Sequence, residues 1–206
     1  MKKRLTDYEL EVVGHAEGQA PPRRGEAELV VDGEHFTRIV RDGILKAQVS
    51  VDILTADFKA MLVPSAGKRV GRGRRTAKSI VTVLGELAQR GVEIRLLHAG
   101  TPSGPALQEL KRGIPSGVTI RRCPRLHAKA VIVDARAMYL GSANLTGAGL
   151  GAKGEHRRNF EMGIWTESSV LIEDVLGQFN MLWEGERCKK CQRKDVCPVP
   201  LEEPSL

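Results

Sequence analysis

A run of eighteen positions in the second half of the chain carries residues that could act together on a phosphate group. His127 and Lys129 are two residues apart, so on a β-strand both side chains would project from the same face. That arrangement would set a nucleophile or an acid–base group beside a fixed cation. Gly141, Ser142 and Asn144 follow the next predicted strand as a tight polar turn, whose hydroxyl and amide could donate hydrogen bonds to an oxyanion. The run therefore predicts a phosphate-binding site that contains its own nucleophile.

Each part of the run is a weak signal when taken alone. A single histidine on a strand is more often a satisfied polar residue than a catalyst, and Gly-Ser-x-Asn turns are common. The joint spacing carries the prediction. No cluster of carboxylates that could hold a catalytic Mg²⁺ accompanies these residues in the sequence, so phosphoryl transfer without a metal is the simplest chemistry to expect.

The joint spacing, H-x-K-x4-D-x6-G-S-x-N, resembles the motif of the phospholipase D superfamily, with Asp134 as its aspartate. The resemblance implies a phospholipase-D-like α/β/α sandwich with a mixed sheet. It also implies a phosphodiesterase that works through a covalent phosphohistidine and needs no cofactor for catalysis. A glutamate on a strand after the motif usually supports the histidine in this family, and Asn159-Phe160-Glu161-Met162 fits that element.

The resemblance also assigns roles to the residues. The histidine would be the nucleophile, and the lysine and asparagine would bind phosphate oxygens with help from the serine. The glutamate would hold the histidine ring in its working tautomer, and the aspartate would organise the local fold. These candidate catalytic residues are His127, Lys129, Asn144, Ser142, Glu161 and Asp134.

The chain contains the motif only once. His98 is followed by Ala99-Gly100, so it has no lysine two positions on. His35 and His156 also lack the pattern. Family members use a second motif histidine to protonate the leaving oxygen, and single-motif members obtain it by forming a twofold dimer. The resemblance thus implies a homodimer with the active site at the twofold axis, where the second subunit's His127 is the general acid and base.

The elements around these residues alternate between strand and helix. Short β-branched or apolar runs predict strands, and apolar residues at helical spacing predict helices. The predicted strands are residues 49–55, 92–97, 118–121, 128–133, 137–140 and 160–166, and the predicted helices are residues 36–44, 76–89, 105–112 and 169–183. The alternation favours an α/β catalytic domain over residues 34–184, between an irregular N-terminal arm (1–33) and a short cysteine-containing tail (185–206).

Composition limits the classes of protein that the chain can belong to. With 206 residues, of which 41% are hydrophobic, it can form one globular domain. No apolar run approaches the roughly 20 residues of a membrane span. The basic N-terminus lacks the apolar segment of a signal peptide, so we expect a cytoplasmic protein. The net charge of +7 is a weak argument for a polyanionic partner, because a solvated basic surface gives the same value.

Basic residues concentrate in three segments around the motif, which favours nucleic acid as the substrate. The single-motif chain also resembles the bacterial nuclease branch of the family, and this resemblance implies a nuclease, with DNA favoured over RNA. A glycine-spaced loop after the first predicted strand carries the largest group, although such loops can also be flexible and solvated. The candidate nucleic-acid-binding residues are Lys68, Arg69, Arg72, Arg74, Arg75, Lys78, Arg121, Arg122, Arg125, Arg157 and Arg158.

Two alternatives stay open for the function. One is a lipid phosphodiesterase of the phospholipase D type, for which an apolar lip or membrane-binding segment would be expected. The other is a catalytically silent nucleic-acid-binding subunit of a phage-defence or restriction system. The run Leu145-Thr146-Gly147-Ala148-Gly149-Leu150-Gly151 loosely resembles phospholipase-D-like proteins encoded with such bacterial systems, and this resemblance implies a larger defence complex as a partner.

Three of the four cysteines crowd the end of the chain. In a reducing compartment such crowding suggests a metal more than disulfides. The spacing of Cys123, Cys188, Cys191 and Cys197 resembles the iron–sulfur staple of some RecB-like nucleases, and zinc with Cys123 or a histidine as the fourth ligand fits equally well. Free thiols are the remaining alternative. Either metal would be a structural clamp and not part of catalysis.

Overall fold

A seven-stranded mixed sheet forms the centre of the fold. The computed structural model describes residues 27–64 and 77–197. In sheet order the strands are β1 (Ala27–Val31), β9 (Met162–Thr166), β8 (Ala137–Gly141), β7 (Ala130–Val133), β2 (Ser50–Thr55), β5 (Glu93–His98) and β6 (Val118–Arg122). A separate antiparallel pair joins β3 (Leu62–Pro64) to β4 (Ala77–Ser79).

Strand direction divides the main sheet into two parts. Strands β2, β5 and β6 are parallel, and their connections carry helices α1 (Ile80–Gln89) and α2 (Gly104–Lys111). Strands β7, β8, β9 and β1 each run antiparallel to their neighbours. Helix α3 (Ser169–Trp183) follows β9. None of the helices in the described ranges combines the length and the apolar character that crossing a membrane requires.

Both faces of the sheet are apolar, and helices cover both. Because side chains alternate along a strand, Val131 and Ile132 point to opposite faces. Val131 belongs to the main core, which includes the buried side of α1. Ile132 packs with Met138 and with Ile172 of α3 on the other face. This layering confirms the predicted α/β/α sandwich with a mixed sheet.

Helix α1 begins later than its apolar spacing predicts. Residues Ala77–Ser79 pair as strand β4 with Leu62–Pro64, and this pairing takes the first residues of the predicted helix. The Ser79 hydroxyl then caps the helix by accepting a hydrogen bond from the Thr82 N–H at 3.0 Å. The last predicted helix, residues 169–183, is found with the bounds that the sequence indicates.

Two segments near the start of the described chain differ from the sequence prediction. Strand β1 lies within the predicted irregular arm and pairs antiparallel with β9. Three of its five residues are exposed, so its apolar pattern is weak. The predicted helix over residues 36–44 is a π-helix, Phe36–Arg41, followed by a 3-10 turn, Ile44–Lys46. Gly43 separates them, where a Cβ would stand 2.6 Å from the Ile39 carbonyl oxygen.

The segments that carry the motif meet at one edge of the sheet, where the strands begin or end. Strand β7 begins at Ala130, β8 ends at Gly141 and β9 begins at Met162. The register pairs Ala130 with Leu140 and Gly141 with Gly163. Since antiparallel neighbours reverse direction, the residues before β7, after β8 and before β9 all meet at this edge.

Candidate active site

His127 and Lys129 lie in the extended segment that leads into β7, just outside the strand itself. The His127 side chain is exposed and Lys129 is half-buried. The ammonium nitrogen Nζ of Lys129 lies 3.2 Å from Nδ1 and 3.3 Å from Nε2 of the His127 ring. The predicted pairing of an imidazole with a fixed cation is therefore present, although the strand begins later than predicted.

A backbone hydrogen bond joins the two separated parts of the motif. The Gly141 N–H donates to the Lys129 carbonyl at 3.2 Å. No side chain fits at Gly141, because a Cβ there would stand 2.4 Å from the Tyr139 hydroxyl and 2.6 Å from the Gly163 Cα. The motif glycine is thus needed for close approach of β8 and β9, and it brings the polar turn beside the His127–Lys129 segment.

Asn144 is held by the end of strand β2. Its Oδ1 accepts a hydrogen bond from the Asp57 N–H at 3.0 Å and lies 3.3 Å from the Thr55 hydroxyl. A backbone N–H can only donate, which fixes the side-chain oxygen on this side and turns the amide N–H₂ group the other way. The Thr55 hydroxyl also accepts from the Leu145 N–H at 2.9 Å. Because the single hydrogen of the Thr55 hydroxyl is donated to the Asp57 carbonyl at 2.7 Å, the Asp57 N–H is the group that orients the asparagine, a role that its sequence position does not indicate.

The glycine-rich run after the motif closes tightly around this asparagine. A Cβ at Gly149 would stand 2.7 Å from the Asn144 carbonyl oxygen and 3.0 Å from its nitrogen. The Gly149 N–H donates to the Thr146 hydroxyl at 2.9 Å. In the sequence, residues 145–151 indicated only a resemblance to proteins of phage-defence systems. In the structure, these residues have a local role, because they pack closely around Asn144.

Ser142 and Glu161 engage each other. The Ser142 hydroxyl donates to one Glu161 carboxylate oxygen and accepts from the Met162 N–H at 3.1 Å. The other carboxylate oxygen accepts from the Asn159 amide at 2.9 Å. These contacts differ from the predicted support of His127 by Glu161. Strand β8 lies between β9 and β7. Because neighbouring strands are about 4.8 Å apart, the turn at the end of β8 is nearer to the Glu161 carboxylate than the segment before β7 is.

A buried series of hydrogen bonds lies behind the polar turn, and no pattern in the sequence indicates it. His35 Nδ1 donates to the Asp32 carbonyl at 2.9 Å, which leaves Nε2 of the neutral ring as an acceptor. The Tyr139 hydroxyl, 3.0 Å from Nε2, donates to it and accepts from the Ala143 N–H at 3.1 Å. Both rings are fully buried, so every polar atom of this series is paired inside the fold.

The same series of hydrogen bonds extends through Asp32 to the backbone of Glu161. The Asp32 carboxylate accepts from the Glu161 N–H at 3.0 Å, and the Asp32 N–H donates to the Glu161 carbonyl at 2.9 Å. Asp32 has a φ of 46°, in the left-handed region. We call Asp32, His35 and Tyr139 the buried brace, because together they tie the Glu161 segment to the Ser142–Asn144 turn.

Burial controls the protonation of the brace. It raises the pKa of Tyr139 to about 12, and hydrogen bonding from the Ala143 N–H opposes this only in part. Burial also lowers the pKa of His35, against the opposing effect of its hydrogen bond to the Asp32 carbonyl. Both groups are therefore neutral near pH 7, as the hydrogen-bond directions require.

Asp134 lies at the opposite edge of the sheet. Its carboxylate accepts hydrogen bonds from the backbone N–H groups of Gln48, Val49 and Ser50, at 3.1, 2.7 and 2.9 Å respectively. It occupies a left-handed position, with φ 54°, in the turn between β7 and β8. These contacts agree with the implied role in the local fold, and they place Asp134 away from the reacting groups.

Some of the candidate nucleic-acid-binding residues serve the fold itself. Lys78 forms an ion pair with Glu86 at 2.5 Å. Arg121 lies 4.5 Å from the centre of the Trp183 ring and donates to the Trp183 carbonyl. Arg122 donates to a backbone carbonyl at 3.1 Å. The five remaining residues of the predicted basic loop lie outside the described residues: Lys68, Arg69, Arg72, Arg74 and Arg75.

Three of the predicted arginines remain at the surface. Arg125 and Arg157 are exposed, and Arg158 is half-buried. Arg125 also lies 3.6 Å from the Cys191 sulfur. Arg157 and Arg158 belong to the loop that leads to Glu161, on the same edge of the sheet as His127.

The structure places the four predicted metal ligands near one another at the end of α3. Cys188 and Cys197 interact electrostatically with Cys123 and Cys191. Cys123, Cys188 and Cys197 also pack against the cluster that contains Phe179 and Trp183, and Cys191 contacts Arg125. Within residues 27–64 and 77–197, no group of three or more histidine, cysteine or acidic residues is arranged to hold a metal ion. The metal site at the four cysteines therefore stays a prediction.

The chain is similar to known proteins in sequence and in structure. The family model described as "Cardiolipin synthase, PLD-like domain" matches residues 40–183. No curated protein matches the chain. Nuc from Salmonella typhimurium, a phospholipase D family member, has a similar structure with a TM-score of 0.54 and 20% identity, over 76% of this chain and 93% of Nuc. NucT from Helicobacter pylori gives a TM-score of 0.54 and 16% identity, over 77% of this chain and 96% of NucT.

The family match and the geometry agree. The matched residues 40–183 make up more than half of the chain and contain the whole motif as well as Glu161. The two solved structures share the fold over most of their own length. The chain therefore belongs to the phospholipase D superfamily, and it is a phosphodiesterase of that superfamily.

Proposed function

We propose that the protein is a nuclease that cleaves nucleic acid without a catalytic metal, through a phosphohistidine formed on His127. The observation that carries the proposal is the joining of the two motif parts. The Lys129 ammonium lies against the His127 ring at 3.2 Å, and the Lys129 carbonyl accepts from the Gly141 N–H at 3.2 Å. A nucleophile, a cation and an amide donor on Asn144 thus share one edge of the sheet.

The first step is attack by a neutral ring nitrogen of His127 on the phosphorus. A P–N bond forms, the P–O bond to the leaving sugar oxygen breaks, and that oxygen takes a proton from a general acid. Water then attacks the phosphohistidine, the general base takes a proton from the water, and the P–N bond breaks. Lys129 and the Asn144 amide stabilise the negative charge that develops on the phosphate oxygens in both steps.

The general acid and base in this proposal is the partner subunit's His127, across a twofold axis. Support comes from the single copy of the motif in the sequence and from the exposure of His127, which leaves its ring open to a second subunit. Within one chain the ring contacts Lys129 and not Glu161. A dimer would bring a second motif imidazole to the site, since the sequence contains the motif only once.

Nucleic acid is the proposed substrate because exposed arginines accompany the site. Arg157 lies in the loop before Glu161, and Arg125 lies two residues before His127. A chain of phosphates can contact both arginines and the motif lysine together, whereas a lipid headgroup offers only one phosphodiester.

The test is cleavage by EDTA-treated protein of end-labelled single- and double-stranded DNA, with RNA and phosphatidylcholine as parallel substrates. We expect DNA cleavage that persists in excess EDTA, is lost in His127→Ala, and falls about 100-fold or more in Lys129→Ala. Cleavage that required added Mg²⁺ and survived His127→Ala would contradict the proposal. Hydrolysis of phosphatidylcholine alone would favour a lipid substrate.

The subunit arrangement has its own test. Light scattering and activity are measured on the same samples over a dilution series. We expect a dimer at high concentration and a specific activity that falls together with the dimer fraction. A stable monomer with full specific activity would contradict a shared active site.

A further inference from the structure

One aromatic ring stands in solvent beside the catalytic edge. The chain has four phenylalanines, and Phe58 and Phe179 are 1% and 0% exposed. Phe36 packs against the main core. Phe160 is 96% exposed, and it directly precedes Glu161. Because burying a phenylalanine is favourable, a ring left almost wholly in water contributes little to the stability of this chain.

The backbone on both sides of this ring is fixed. The Asn159 N–H donates to the Ala148 carbonyl at 3.1 Å. On the other side, the Glu161 N–H donates to the Asp32 carboxylate at 3.0 Å, and the Glu161 carbonyl accepts from the Asp32 N–H at 2.9 Å. The ring therefore projects from a braced segment, so a ligand that stacks on it would meet a preorganised surface.

The segment that carries the ring also contacts the motif turn. The side chains of both neighbours of the ring, Asn159 and Glu161, meet at 2.9 Å, and Glu161 accepts from the Ser142 hydroxyl of the motif turn. Exposed Arg157 lies three residues before the ring in the same loop. An exposed aromatic residue thus stands in sequence between a cationic residue and a residue that contacts the motif.

We propose that Phe160 is a stacking platform for an unpaired base next to the scissile phosphate, an inference that rests on the proposed nuclease function. Aromatic rings bind bases of any sequence through their π-faces, and arginines beside them bind the backbone. In a duplex, each base already stacks on its neighbours, so its face is not available. The platform therefore selects single-stranded nucleic acid or an unpaired end, and it contributes to binding without reading sequence.

The test compares two single strands of equal length and charge. One is an oligothymidylate, and the other has abasic sites in place of its nucleotides, so that only the bases differ. Binding is measured by fluorescence anisotropy with every protein in the His127→Ala background, so that the strand is not cleaved, and cleavage by the protein with His127 intact is measured on the same strands. With Phe160 unchanged, the protein is expected to bind the strand with bases about 5- to 100-fold more tightly than the abasic strand.

The variants distinguish the effect of the aromatic ring from the effects of side-chain size and of a disturbed fold. Phe160→Ala and Phe160→Leu should reduce that ratio to near one, whereas Phe160→Trp should keep it. Val49→Ala is the matched control, because Val49 is 63% exposed at the opposite edge of the sheet. Its ratio should equal that of the wild-type protein.

An unchanged ratio in Phe160→Ala would overturn the proposal. The proposal would also be overturned if light scattering showed that Phe160→Ala converts the protein to monomers, because the ring would then be a contact between subunits. The two proposals can fail separately. A wild-type protein that cleaves neither strand, but binds with a ratio that depends on Phe160, would contradict the nuclease function and support the platform.

Discussion

The two parts of the motif are supported very differently. The segment from Ser142 to Leu145 is hydrogen-bonded to Thr55, Tyr139 and Met162. The His127 ring is exposed, and its polar contact within the described residues is with Lys129. In the proposed function, the hydrogen-bonded turn would thus hold phosphate oxygens, and the proposed nucleophile would be oriented by what binds there. This difference fits the proposal that a second subunit and the substrate complete the site.

The nucleophile gives the largest expected effect on activity. His127→Ala should reduce turnover by at least about 10³-fold, because it removes the atom that forms the intermediate. The free energy of unfolding should change by less than about 0.5 kcal/mol, because the exposed ring supports little of the fold. Turnover and urea unfolding measured on the same preparation check both statements. A marked loss of stability would mean that His127 is part of the structural framework.

The braced turn should respond in the opposite way. Tyr139→Phe removes a hydroxyl that pairs with the Ala143 N–H and with His35. It leaves two buried polar groups without a partner, so we expect a loss of about 1–3 kcal/mol in the free energy of unfolding. Turnover should also fall by about 10- to 100-fold, because the turn that carries Asn144 loses its support.

Gly163→Ala checks the same region in a second way. Its new Cβ would stand 2.4 Å from Cε2 of the Tyr139 ring, so the ring has to move although the hydroxyl remains. We expect both stability and turnover to fall in this variant too. A Tyr139→Phe protein with wild-type stability and turnover would show that the brace does not support the turn.

The smallest expected effect concerns pH. Burial lowers the pKa of His35 below its ordinary value of about 6.5. Below that value the unfolded chain binds a proton that the folded chain excludes. The contribution is therefore fully present above about pH 6.5 and is lost progressively as the pH falls toward the folded-state pKa.

Urea unfolding at pH values from about 5 to 7.5 measures this effect. His98, whose pKa is also lowered by burial, adds a slope of the same sign. His35→Gln keeps an amide that can accept from Tyr139 and should show a shallower rise of stability with pH, with the His98 part remaining. Equal slopes in the variant and the wild-type protein would mean that His35 can be protonated in the folded state.

Local patterns predicted much of the fold. Helix α3 has the predicted bounds because its apolar residues follow helical spacing over the whole segment. Strand β1 was missed because an exposed strand at the edge of the sheet has little apolar alternation, and only its pairing with β9 defines it. The start of α1 was misplaced because β4 is also defined by pairing with another segment.

The motif residues could be found from spacing, but their contacts could not. His35 and Tyr139 are 104 positions apart and meet only because the π-helix packs behind β8. The partner of Glu161 depends on strand order, which places the Ser142 turn between β9 and β7. For the cysteines, the metal site stays a prediction from spacing, and three of them pack against the apolar cluster at the end of α3.

Direct detection of the covalent intermediate tests the central claim, that His127 is the nucleophile of a metal-independent nuclease. EDTA-treated protein is mixed with a labelled single-stranded oligonucleotide, quenched within seconds in alkaline denaturant, and digested for mass spectrometry. The account predicts a nucleotide or phosphate adduct on the peptide that contains His127, and no adduct in His127→Ala. Efficient cleavage in EDTA with no adduct at His127 at any time point, or an adduct on another residue, would contradict it.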